Sequence, residues 1–385
     1  MVEAALTVPE LSVPEIAGGA GPIAVVEGGV VVPPAKGLGN QSIQRSGVLR
    51  PDGSLVPESV TWRGRAQVTV RPAMPPAEAI GELPGTWLFM GPLFGHFGHF
   101  LVESISRLWA LGHLPEPIDG VLFVPKFQNR PEHVMATYRP FLRALGVGAE
   151  MRNVEDPTRV ERLLVPPQGF GMFQMIEGAP QFREFIRARA GKGIAPKGDP
   201  RIYVSRSQLP VQRGSILGEQ VLEERLREEG YEPFHPQRHS FEDQIAAYRA
   251  AREVIAVDCS PLHLLALVGD REQTVGVVAR RDGDLDEVFA RQIHAFQGAE
   301  AFAINHLKRN WIEEGASRPS RTSWGEVDFA ALGDSLREAG LIRGGPWPGL
   351  SDEEIAAQVE RIGAAQGVRF KPFDGPLGTA PGDGG

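Results

Sequence analysis

At 385 residues the chain is too long for one small domain, and its length suggests two. Hydrophobic residues at 42% and charged residues at 23% give an ordinary globular balance, and a formal charge of -8 argues against general affinity for nucleic acid, which needs a basic face. A single cysteine, Cys259, excludes an internal disulfide and a cysteine-rich zinc site and suits a reducing compartment.

The opening segment has Glu3, no basic cluster and two prolines, Pro9 and Pro14, so it does not read as a signal peptide. No run of apolar residues is long enough to span a bilayer. A cytoplasmic location is the expectation, with peripheral docking on a membrane left open. Up to about Pro76, short apolar runs alternate with Gly and Pro; Gly21–Val26 and Gln67–Val70 read as strands. Trp87–Met90 reads as a buried strand, 91–98 as a glycine-rich turn, and Phe100–Leu111 as a helix. Val121–Val124 is a further strand, Pro131 opens a helix to about Leu145, Leu163–Val165 is a strand, and a helix follows from about Ala179.

The stretch 190–200, rich in Gly and Pro, reads as a linker (191–200) closing an N-terminal α/β domain, 1–190. Beyond it strands and helices alternate. Ile202–Val204, Tyr231–Phe234, Val254–Val257 and Thr274–Val278 read as strands. Helices are expected over 215–229, from the cap Ser240 to about Arg252, and over Pro261–Val268. Continuously apolar strands alternating with helices imply a parallel sheet covered on both faces, a Rossmann-like domain over 201–310. Amphipathic helices are expected near Phe329–Ala339 and Asp352–Gln366 within 311–373, then a disordered tail, 374–385.

Four places carry candidate chemistry. Between a strand and a helix, Gly95-His96-Phe97-Gly98-His99 offers glycines for close approach and histidines able to deprotonate a hydroxyl, with Glu103 one turn on; a tight turn with a capping histidine is the plainer reading. Ser205 and Arg206 end a strand, and Arg213 precedes a helix, a pattern suited to a diphosphate because guanidinium groups bind its oxygens bidentately; solvated surface arginines are the alternative. Asp258-Cys259-Ser260-Pro261-Leu262-His263 hands another strand to a helix that Ser260 can cap. Cys259 as a nucleophile competes with Cys259 as a small buried apolar residue. Asp282-Gly283-Asp284-Leu285-Asp286 suggests Mg²⁺ ligation or simply a short acidic loop, and no metal is assigned.

Together these segments resemble the glycosyltransferase family 61 proteins, of the capsular polysaccharide biosynthesis type. The resemblance is carried by Gly98-His99-Phe100-Leu101, by Tyr203-Val204-Ser205-Arg206 with Arg213 and Glu219, by Gly230-Tyr231-Glu232, by the helix opening at Ser240, and by Ser260-Pro261-Leu262-His263, between about Gly91 and Ala279. It implies a GT-B-like α/β fold, two Rossmann-like domains facing across a cleft. It further implies inverting transfer from a nucleotide-sugar donor to a glycan acceptor, with no cofactor and no obligatory metal. Carried over residue by residue, it implies that Arg206 and Arg213 grip the donor diphosphate and that His99 lines the acceptor side. Motif position adds Ser205, Glu219, Ser260 and His263 on the donor side and His96 and Glu103 on the acceptor side, with His99 as first choice of general base and Asp258 as second. One departure stands out: family members usually read Gly-x-His-Gly-Ser/Ala where this chain has Ala256–Ser260, so Asp258 replaces histidine and Cys259 glycine. An aspartate there repels a diphosphate unless an arginine neutralises it. A binding module impaired in catalysis is therefore the rival reading. A nicotinamide-linked oxidoreductase is disfavoured, because no G-x-G-x-x-G follows a predicted strand.

Overall fold

A computed structural model describes residues 11–37, 41–127, 129–373 and 375. The chain forms two compact units, one ending at Lys192 and one beginning at Gly193. The tail expected to be disordered lies outside the described residues apart from Gly375, as do Glu3 and Pro9 of the opening segment.

In the first unit, strands β1 (Ala24–Val32), β2 (Gly47–Leu49), β3 (Gly81–Leu93), β4 (Gly120–Pro125), β5 (Glu150–Asn153) and β6 (Thr158–Val165) form one sheet. Its order is β2-β1-β6-β3-β4-β5. The four strands β6, β3, β4 and β5 are mutually parallel, while β1 runs antiparallel to β6 and β2. Helix α1 (Pro131–Ala144) starts on a proline whose missing N–H costs nothing there, and it buries Met135, Tyr138, Phe141 and Leu142. Helix α2 (Pro180–Arg189) starts the same way and buries Phe182, Phe185 and Ile186.

The regular helix expected over Phe100–Leu111 does not form. A short turn, Phe97–His99, widens into a π-helical turn over Phe100–Ser104, and a 3₁₀ turn follows at Leu108–Gly112. Every residue of Phe100–Ser104 is buried, so no amphipathic stripe is present to hold an α-helix against one surface. Ser104 fixes the turn instead: its hydroxyl accepts from the Phe94 amide (3.0 Å) and donates to the Pro92 carbonyl (2.9 Å).

The second unit contains β7 (Arg201–Val204), α3 (Glu219–Glu228), β8 (Glu232–Phe234), α4 (Phe241–Ala250), β9 (Glu253–Val257), α5 (Pro261–Val268), β10 (Thr274–Val278), α6 (Leu285–Gln297) and β11 (Glu300–Ile304). All five strands are parallel, in the order β8-β7-β9-β10-β11. The order reverses between β7 and β9, and the crevice at their carboxyl ends is where such sheets hold ligands. The helix expected from Ser215 starts only at Glu219, because Ser215 and Leu217 bond to Gly325 as strand does. Ser240 caps α4 by accepting from the Asp243 amide, as expected.

The unit continues with β12 (Leu307–Glu313), β13 (Trp324–Val327), α7 (Phe329–Glu338), α8 (Asp352–Gln366) and β14 (Phe370–Pro372). The strands β13-β12-β14 form an antiparallel sheet that the sequence reading did not contain. Phe329, Leu332 and Leu336 of α7 pack with Leu222 and Leu226 of α3 over Tyr203, Ile255, Val257 and Val278 of the parallel sheet. The segment expected to be separate C-terminal helices thus completes the core of this unit.

Candidate active site

At the end of β7, Ser205 and Arg206 turn away from the sheet over a buried carboxylate. Glu219, 4% exposed, accepts from the Arg206 amide (2.6 Å) and from the hydroxyls of Tyr203 (3.1 Å), Ser205 (3.2 Å) and Ser215. Burial pushes the Glu219 carboxyl up, against the pull of these donors. Glu223, one turn along α3, accepts from the hydroxyls of Ser205 and Ser207. Ser205 and Glu219, read from the sequence as donor ligands, are therefore engaged with each other, and what they fix is the backbone that presents Arg206.

The Arg206 guanidinium donates to the carbonyls of Arg213 (2.7 Å) and Gly214 (3.0 Å). Arg213 gives that contact its carbonyl oxygen, while the residue itself is exposed on a 3₁₀ turn. Two further arginines act electrostatically at this strand end. Burial lowers the Arg206 pKa, and the positive charge of Arg280 lowers it further. Arg281 is lowered by burial first and then by Arg280, with Arg206 and Arg321 adding to the effect. Arg280 and Arg281 directly follow β10 and Ala279, at the same end of the sheet.

Asp258 is 1% exposed and sits among these cations. Its Oδ2 accepts from the Arg280 amide (2.9 Å), and its Oδ1 lies 3.1 Å from Arg280 Nε. Arg280 Nε also donates to the Asp258 carbonyl (2.9 Å). The aspartate that seemed to oppose an anion is thus neutralised by the residue that opens the next loop. Both its oxygens being engaged, it is poorly placed to act as the second-choice base. Among the described residues no hydrogen bond or ion pair of the Arg281 side chain is formed. Three guanidinium groups gather at this strand end, where Arg280 is matched by Asp258 and the Glu219 carboxylate lies beneath Arg206.

Pro261 opens α5 as expected, but Ser260 has helical backbone angles and no side-chain cap bond. The expected cap fails because a capping hydroxyl needs extended backbone to reach the next turn. His263 contacts Gln292 of α6 through Nδ1 (2.8 Å), and its ring packs on Phe289. Burial pushes the Cys259 thiol up to about 12, which makes it an inert core residue. Asp282 donates its amide to Asn310 (2.7 Å), and among the described residues no group of three His, Cys, Asp or Glu is arranged to hold a metal ion.

The first unit gathers a second cluster where β3 and β4 end. His99 Nδ1 lies 3.2 Å from Glu103 Oε2, and Arg63 Nε donates to Glu103 Oε1 (2.6 Å). A carboxylate only accepts, so Nδ1 carries the hydrogen and Nε2 is the basic nitrogen. The Glu103 side chain is fully buried, whereas His99 keeps 18% of its side-chain surface and Arg63 22%. His99 stands just before the π-helical turn and Glu103 within it, at i and i+4. His96 stands edge-on to His99 with ring centroids 5.8 Å apart. Phe94 is the common floor: the rings of Phe94 and His99 are 5.4 Å apart, Arg63 Cζ is 5.4 Å from the Phe94 centroid, and Lys126 Nζ is 5.9 Å from it.

Sequence reasoning found His96, His99 and Glu103 but missed Arg63 and Lys126. Lys126 directly follows an apolar parallel strand, a signal open to reading; Arg63 comes from a short hairpin whose placement no local pattern shows. The equivalent crevice between β3 and β6 is occupied by protein. Arg107 is fully buried there, donating to the carbonyls of Pro166 (3.0 Å), Val60 (2.8 Å) and Glu58 (3.0 Å), and burial lowers its pKa to about 9.

The second unit is therefore a doubly wound α/β fold with Arg206, Arg280 and Arg281 at the carboxyl end of its sheet. Residues 97–275 match the model of the family described as Glycosyltransferase 61. That match supports a glycosyltransferase of family 61, and the mixed α/β structure with its parallel sheets fits one. No curated protein matches the chain. The matched segment takes in His99, Glu103, Lys126, Arg206, Glu219 and Asp258; Arg63, His96, Arg280 and Arg281 lie outside it. Among the described residues no helix is long and apolar enough to cross a membrane.

Proposed function

We propose that the chain is an inverting glycosyltransferase of GT-B type, moving a sugar from a nucleotide-sugar donor to a hydroxyl of a glycan acceptor, in polysaccharide biosynthesis. The observation that carries this reading is the strand end where Arg206, Arg280 and Arg281 gather while Arg280 cancels the charge of Asp258. In this reading the second unit holds the donor diphosphate. His99 is the candidate base.

The acceptor oxygen forms a bond to the anomeric carbon from the face opposite the nucleotide, and the bond from that carbon to the diphosphate oxygen breaks. The electron pair leaves with the nucleoside diphosphate, whose growing charge is met by guanidinium groups rather than by a bound divalent cation. Fixed donors of this kind contribute about 2 to 4 kcal/mol each, by analogy with oxyanion-hole deletions. The acceptor proton passes to His99 Nε2, and Glu103 stabilises the imidazolium through Nδ1. Glu219 acts behind the site by holding the Arg206 amide.

The impaired binding module stays the rival, but Arg280 removes the electrostatic objection that motivated it. Purified protein incubated with a panel of nucleotide sugars and glycans separates the two. We expect acceptor-dependent release of nucleoside diphosphate, and a fall in turnover of roughly 10²- to 10⁴-fold in His99→Ala with nucleotide binding kept. Undiminished turnover in His99→Ala removes it from the mechanism. Thermal stabilisation by a nucleotide sugar without any release favours the binding module.

A further inference from the structure

Lys126 is an unusual residue to find where it stands. It directly follows β4, is 5% exposed, and donates its ammonium hydrogens to the carbonyls of Gln41 (2.8 Å) and Ser42 (3.2 Å). The neighbouring cation, Arg63, is already matched by Glu103. Among the described residues no carboxylate pairs with Lys126. A buried ammonium without a counter-ion is costly to keep, and the cost falls when an anion comes beside it. Burial pushes its pKa down to about 8, with Arg63 adding to that shift and Glu103 opposing it. Phe94 is shared by Lys126 and His99, and the side chains of Arg63 and His99 keep some solvent exposure.

We propose that Lys126 and Arg63, both beside the Phe94 ring, form an anion-recognition subsite on the acceptor side, so that the acceptor carries a carboxylate or phosphate group close to its attacking hydroxyl. This deepens the transferase reading and rests on His99 being where the acceptor is activated.

The test uses three probes on the whole protein: methyl glucuronoside, glucose 6-phosphate and the neutral methyl glucoside, each titrated by calorimetry. We expect at least one acidic probe to bind about tenfold or more tightly than the neutral one, the gain of one charge-assisted contact. The better acidic probe identifies the source of the anion. In Lys126→Met the acidic preference collapses; in Lys126→Arg, which keeps the charge, it survives. Lys126 faces Arg63 and Glu103, with His99 and His96 beyond, so a pH series compares the wild type with Lys126→Met, which shares those groups. The difference between them should fade as the pH rises past about 8. No acidic preference in the wild type, or one unchanged in Lys126→Met, overturns the subsite. If Lys126→Met does not fold, a wild-type preference that persists undiminished well above pH 8 overturns it equally. Nucleoside diphosphate titrated into the same samples reports on the second unit. Acidic preference without nucleotide binding would refute the transferase reading while leaving an anion site at Lys126 standing.

Discussion

Asp286, at the start of α6, is 3% exposed, and burial pushes its carboxyl up to about 6, with the nearby charge of Asp258 acting in the same direction. The folded pKa lies above the ordinary 3.8, so the folded state holds the proton more tightly than the unfolded chain. That contribution is fully present below the unfolded value and is lost as the pH rises through about 6. At pH 7 the ionised side chain costs the fold on the order of 3 kcal/mol. Asp286→Asn should therefore be more stable than the wild type in denaturant at pH 7, with most of the gain gone at pH 4. An equal gain at both pH values would contradict the assignment. At this scale the sequence was partly legible. Arg206 stands out because Ser-Arg ends a strand, whereas the bond from its guanidinium to the Arg213 carbonyl is not legible in the sequence. Arg280 and Arg281 were passed over, although they follow a strand whose limits were read correctly. Which of several strand-end arginines turns inward depends on long-range partners such as Asp258, 22 residues away, and no local pattern reports that.

The glycine-rich entry to the His99 turn depends on what β3 can tolerate. Gly91 has φ +84°, at a point where the pairing of β3 with β4 shifts register. A Cβ built there would lie 2.6 Å from Arg107 Nη1 and 3.1 Å from the Thr61 hydroxyl. Gly91→Ala meets both left-handed backbone strain and the buried guanidinium, so it should lower stability by at least about 1 to 3 kcal/mol. A chemical denaturation midpoint matching the wild type would show that Arg107 moves freely. Elements with strong local signals were readable: α5, β10 and α8 have the limits expected of them, each marked by an apolar run, a proline start or a capping box. The π-helical turn was not, because a wholly buried segment carries no helical stripe. β5 shows only Met151 buried, between exposed Glu150 and Arg152, too short an alternation to be told from a loop.

A net charge of -8 does not report the clusters of cationic side chains, Arg63 with Lys126 in the first unit and Arg206, Arg280 and Arg281 in the second. Alternating strands and helices made the α/β class and the parallel sheet of the second unit legible. The antiparallel sheet β13-β12-β14 and the part α7 takes in the core were not, since they depend on which distant segments share a face. In the second unit two adjacent arginines have separable tasks. Arg280 neutralises Asp258, so Arg280→Met leaves a buried charge unpaired, and such losses cost about 3 to 5 kcal/mol. Among the described residues the Arg281 side chain forms no ion pair, and in the proposed reading it meets the donor diphosphate. The most direct measurement is therefore a nucleoside diphosphate titration of Arg281→Met against the wild type. An affinity lowered about tenfold or more, with the ligand-free melting temperature unchanged, is the predicted result. Wild-type affinity in Arg281→Met would contradict it.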